Sequence, residues 1–147
     1  MIRRIITAAV LAFCSVTVAW AHPAPFSYLD VVFKDGGIEG TLVVHVIDVA
    51  HELGIPPERV MDEAFVAAQK QRIGEILAPR LYLQGDRRLA IEWQDLELMR
   101  DEQALRFRYR IPDASFGALT VDTNLFPYDP LHQTFINVYD EGALRQQ

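Results

Sequence analysis

Phe26-Ser-Tyr-Leu-Asp-Val-Val-Phe-Lys34 is followed by Asp35-Gly36-Gly37 and then by Ile38-Glu-Gly-Thr-Leu-Val-Val-His-Val-Ile47. In the first run Ser27, Leu29, Val31 and Phe33 alternate with Tyr28, Asp30, Val32 and Lys34, the period of two that marks a strand with one strongly apolar face. The Asp-Gly-Gly stretch is a hairpin turn signal, so residues 38–47 read as the returning strand. Two registers are open. With Asp35-Gly36 as the turn, His45 opposes Phe26 and His22 extrapolates to Val49. With Gly36-Gly37 as the turn, His45 opposes Tyr28 and His22 meets His51. Either one carries the segment before the first strand toward the corner between Asp48 and His51.

Downstream of the hairpin the period changes. Asp48 can cap a short helical turn that Gly54 ends, and Pro56-Pro57 open a longer helix over about residues 58–77, with Val60, Met61, Ala64, Phe65 and Ala68 as its apolar face. After Pro79 strand patterns return at 80–84, 89–93, 96–100, 104–111, 118–125 and 134–140. Short strands broken by regular turn signals predict a mainly β fold, an antiparallel β-sandwich with a helical insertion between the second and third strands. Leu105, Phe107, Tyr109 and Ile111 face its core. A turn at Asp101-Glu102 sets Arg106 opposite Glu97 and Arg108 opposite Asp95, so the arginine stripe reads as cross-strand ion pairing and not as an anion site.

The composition fits a single globular domain: 147 residues, half of them hydrophobic and 23% charged. Twenty acidic against 14 basic side chains give a net charge of -6. That balance argues against nonspecific nucleic-acid binding, which needs a basic face, and against anionic lipid. At the start of the chain Arg3 and Arg4, an apolar run from Ile5 to Val18, and Ala19-Trp20-Ala21 have the order of a secretory signal peptide. The expected organisation is a signal peptide over 1–21 and one periplasmic β-rich domain over 22–147, with no direct membrane insertion after cleavage. Cleavage removes Cys14, the only cysteine, which excludes thiol catalysis and cysteine zinc sites.

Four histidines remain as candidates for chemistry: His22, His45, His51 and His132. Neither Ser27 nor Ser115 sits in a G-x-S-x-G elbow, and there is no phosphate loop, Rossmann fingerprint or EF-hand. His51-Glu52 begins a zincin-like pair, but position 55 is isoleucine. A non-enzymatic domain is therefore expected. Cleavage after Ala21 makes His22 the first residue, whose α-amine and ring Nδ1 can close a chelate on one metal ion. Pro23 lacks an amide proton, so the next ligand must come from elsewhere in the fold. His51 is the expected third nitrogen donor, with His132 and the Asp129 carboxylate completing the site. Such donors suit Cu(II) first, with Ni(II) and Zn(II) behind. His45 reads as a satisfied, partly buried histidine. The alternative is an interaction module that docks on a membrane or envelope partner without metal, through an apolar loop of Phe126, Tyr128 and Phe135.

Four segments resemble the extracytoplasmic N-terminal region of HupE/UreJ-type membrane proteins: His22-Pro-Ala-Pro-Phe-Ser-Tyr-Leu-Asp30, Gly40-Thr-Leu-Val-Val-His45, Asp48-Val-Ala-His-Glu-Leu-Gly54 and Leu125-Phe-Pro-Tyr-Asp-Pro-Leu-His-Gln-Thr-Phe-Ile-Asn-Val-Tyr139. Those multi-pass proteins are associated with nickel supply to hydrogenases and ureases. The resemblance implies a periplasmic metal-binding or metal-delivery domain and makes nickel the expected ion. It also implies a membrane path, which is expected from a C-terminal transmembrane domain beyond Gln147 or from a separate membrane protein partner.

Overall fold

The computed structural model describes residues 26–114 and 117–147, so the expected signal peptide over 1–21, Cys14 and His22 lie outside the described residues. The chain is mainly β. Strands β1 (Phe26–Lys34) and β2 (Gly37–His45) form the hairpin, and helices α1 (Val46–Leu53), α2 (Pro57–Val60) and α3 (Glu63–Leu77) follow. Then come β3 (Leu81–Gln84), β4 (Glu92–Met99), β5 (Ala104–Pro112), β6 (Thr120–Thr123), β7 (Gln133–Asp140) and β8 (Ala143–Gln146). The large sheet has the order β4-β5-β2-β1-β7-β8, and β3 pairs with β6 in a separate two-stranded ladder. The helical insertion lies between β2 and β3, as the change of period predicts.

The hairpin adopts the first register: Tyr28 pairs with Val43 and Lys34 with Gly37, leaving Asp35-Gly36 as the turn. Val49, the position opposite His22 by extrapolation, belongs to α1, because β2 ends at His45 and the chain turns out of the ladder. One pairing departs from an antiparallel arrangement. β7 lies parallel to β1, with Ser27 beside Thr134 and Leu29 beside Ile136. The start of β1, the end of β2 and the start of β7 therefore share one end of the sheet.

Local chemistry explains the helix boundaries. His45, not Asp48, caps α1: its Nδ1 accepts from the Ile47 amide at 3.2 Å, which releases the Asp48 side chain for other contacts. Gly54 closes α1 in the left-handed region (φ 67°), where a Cβ would be strained. The longer helix is interrupted because Asp62 starts a new one, accepting from the Ala64 and Phe65 amides through Oδ1. Its buried face consists of Val66, Ile73, Gly74 and Leu77; of the predicted stripe Val60 is buried and Met61 and Phe65 pack against the core, whereas Ala64 and Ala68 are exposed.

Strands predicted at 89–93 and 96–100 merge into one, β4, with an irregularity between Trp93 and Leu96. The Glu97–Arg106 pair forms at 3.2 Å, whereas the irregularity removes Asp95 from its place opposite Arg108. The core fills the space under the inner face of the sheet: Leu29, Val31, Leu42, Val44, Leu105 and Phe107 are buried together with Val46 and Val49 of α1. Gly40 permits one close approach there. A Cβ at this position would fall 2.0 Å from the Asp30 carbonyl oxygen and 2.6 Å from the Tyr109 ring, whose hydroxyl donates to that carbonyl at 2.8 Å.

Candidate functional site

α1 begins where β2 ends, so its first turn sits beside the entrance of β1 and the loop that feeds β7. Asp48, on that turn, is 2% exposed at its side chain, and His132, immediately before β7, is 4% exposed. Ser27, the second residue of β1, is fully buried. The three form a chain: Ser27 Oγ lies 2.9 Å from His132 Nε2, and His132 Nδ1 lies 3.6 Å from Asp48 Oδ2. The other Asp48 oxygen, Oδ1, accepts from the Tyr128 hydroxyl at 2.6 Å. Phe126 packs its ring edge-on against His132, with centroids 4.7 Å apart.

Two buried atoms in this chain, Asp48 Oδ2 and His132 Nδ1, have no hydrogen-bond partner among the described residues, and they lie 3.6 Å apart. Their separation is too long for a hydrogen bond. Burial pulls the His132 imidazole below the ordinary histidine range, and this outweighs the upward pull of the Asp48 and Asp129 carboxylates. The neutral ring has two tautomers: with its hydrogen on Nδ1 it points that hydrogen at Asp48 and accepts from the Ser27 hydroxyl through Nε2, and with its hydrogen on Nε2 it donates to Ser27 and leaves Nδ1 as a bare lone pair turned toward a carboxylate oxygen. Two such acceptors repel unless a proton or a cation sits between them. Two ligand bonds of about 2.0–2.1 Å each are enough to bridge the gap.

Burial also pushes the Tyr128 phenol above its ordinary range, with the Asp48 hydrogen bond adding to the effect, so the group stays protonated and remains a donor. Ser27 and Tyr128 thus occupy the outer atoms of the imidazole and the carboxylate and leave the inner atoms aimed at one point. Fixing ligands through their far sides in this way is how outer partners orient a metal site. The same residue types can perform acyl transfer, but a fully enclosed Ser27 gives a substrate carbonyl no approach.

The remaining predicted ligands lie differently. His51 is exposed on α1 and stacks on Tyr128, with ring centroids 3.5 Å apart, at the outer edge of the same corner. Asp129 spends Oδ1 on the Leu131 amide, shaping the turn that delivers His132. His45 is satisfied and partly buried, as predicted, through a role that was not, the cap of α1. Among the described residues no three His, Cys, Asp or Glu side chains gather as one metal-binding group, and His22 falls outside them. Of the predicted contact loop, Tyr128 and Phe135 are exposed, but Phe126 is 1% exposed and belongs to the core, because the loop folds inward to place His132.

Sequence reasoning passed over Asp48 and Ser27. Asp48 did carry a signal, an acid within Val46-Ile-Asp-Val-Ala50 where every neighbour is apolar. Ser27 carried none beyond its place on the apolar face of β1. The loop itself is held by Arg80, whose guanidinium donates to Glu52 of α1 and to the Leu125 carbonyl, both at 2.8 Å. Compared with protein-family models the chain matches none, and compared with curated proteins it matches none.

Proposed function

We propose that this protein is an extracytoplasmic, non-enzymatic metal-binding or metal-delivery domain, associated with a HupE/UreJ-type transport system, that holds a divalent transition-metal ion at the Asp48–His132 corner. The observation that supports this reading is the pair of buried, unpartnered ligand atoms, Asp48 Oδ2 and His132 Nδ1, facing each other at 3.6 Å. Leaving such groups unsatisfied costs roughly 1–3 kcal/mol each, and an ion between them removes that cost. His22 supplies the amine and ring chelate once the signal peptide is gone. Ser27 touches His132 and lies only five residues after His22, so the new N-terminus is tethered within about 17 Å of the corner. His51 stands at the open edge as a further nitrogen donor. The nitrogen and oxygen donors favour Cu(II), then Ni(II) and Zn(II), while the family resemblance points to nickel.

Titration of protein beginning at His22 with Cu(II), Ni(II) and Zn(II) tests this. Asp48→Asn and His132→Gln should each weaken binding at least tenfold, and one extra residue before His22 should weaken it about as much as His22→Ala. Affinity unchanged by both corner substitutions would overturn the site. The exposed rings of Phe26, Tyr28 and Phe135 favour a second reading, an interaction module without metal, and that reading stands if no ion binds any form of the protein.

A further inference from the structure

The outer face of the sheet, opposite the core, carries a cluster of aromatic rings. Phe135 of β7 lies 5.4 Å from Phe26 and 5.5 Å from Tyr28 of β1, nearly parallel to the latter, and all three are exposed. Tyr28 and Phe26 continue into a groove of about 540 Å³ with Val43 and Met99, and the β4–β5 turn brings Asp101 and Glu102 to its side. The groove is mostly apolar where it is lined by strands and acidic where it is lined by the turn. Both acids are exposed and make no ion pair among the described residues. The cations close to them in sequence are engaged elsewhere: Arg100 with Glu63 and the Met61 carbonyl, and Arg106, which stands opposite Val43, with Glu97.

We propose that this groove docks a basic segment of a partner protein, one in which a lysine or arginine is flanked by apolar side chains. The cation lies over the Tyr28 ring and against Asp101 and Glu102, and the flanking side chains cover Phe26, Val43 and Met99. A cation on an aromatic face beside free carboxylates gains from both, and the apolar floor excludes water from the pair. Charge selects this occupant over the others. A second copy brings the same net charge of -6 to the same surface, and an anionic bilayer is repelled by the turn. The groove uses none of the atoms at the Asp48–His132 corner, so the proposal does not depend on metal.

The test uses the purified protein in the presence of EDTA, with two probes: a short amidated peptide of alternating lysine and leucine, and its counterpart of alternating glutamate and leucine. The lysine peptide should bind saturably, more weakly as salt rises, with amide NMR shifts confined to β1, the end of β2, β7 and the β4–β5 turn. The double substitution Asp101→Lys with Glu102→Lys, on an exposed turn that does not contribute to the core, should weaken binding at least tenfold. Phe135→Ser should do the same, and Leu144→Ser on exposed β8 should change nothing. Equal binding of the glutamate peptide, or full binding by the charge-reversed turn, would overturn the proposal. Concentration-dependent dimerisation lost in Phe135→Ser would make a second copy the occupant, and cosedimentation with phosphatidylglycerol vesicles would make it a bilayer. Either result would overturn the proposal as well.

Discussion

At His132 the burial that orients the ring also makes it a source of acid sensitivity. Its folded pKa is lowered, so the unfolded chain binds a proton more readily than the native one. Stability is therefore full well above the unfolded value of about 6.5 and is lost as pH falls through that value toward the lowered one. Urea denaturation in EDTA should show a steeper loss between neutral pH and pH about 5 for the native sequence than for His132→Gln. Equal slopes would remove His132 as the cause. Tyr128→Phe leaves Asp48 Oδ1 without its donor. A bond to a buried carboxylate from a half-exposed phenol suggests a loss of about 1.5 kcal/mol, measurable in the same experiment.

Between strands, two substitutions separate a surface contact from a packing requirement. Arg106 and Glu97 are solvent-accessible, so a double-mutant cycle with charge reversal should give a coupling of only about 0.2–1 kcal/mol, shrinking with salt. Gly40→Ala is of another order. Its Cβ has no space between the Asp30 carbonyl and the Tyr109 ring, and the Tyr109 hydrogen bond goes with it, so destabilisation of about 3 kcal/mol or more is expected from denaturant midpoints. Among the helices, the expected span over residues 58–77 was right in kind and too generous in length. Asp62 followed by Glu63 is a capping signal that divides the apolar pattern between two helices.

For the molecule as a whole, the corner exists because distant segments are clamped together. Arg80 connects α1 through Glu52 to the Leu125 carbonyl at the base of the loop that carries Tyr128 and His132. Arg80→Ala leaves a partly buried carboxylate and a carbonyl unpaired, at a cost of roughly 1–3 kcal/mol. It should lower the melting temperature and weaken metal binding in parallel with Asp48→Asn, although Arg80 is no ligand. A variant that melts early but binds the ion with unchanged affinity would show that the loop is positioned without the clamp.

The strands of the hairpin, the inward set on β5, the Glu97–Arg106 pairing and the helical insertion were all legible in the residues, because each rests on near neighbours or on a period of two. The parallel pairing of β7 with β1 was not. No turn joins those strands, and side-chain alternation is the same whichever way a neighbour runs. That one pairing carries His132 to Ser27, and the switch of the N-cap from Asp48 to His45 frees the carboxylate that meets it. His132 stood out in the sequence as a donor; the apolar neighbours of Asp48 marked it as an unusual acid, but which side chain meets it depends on the surface that covers it.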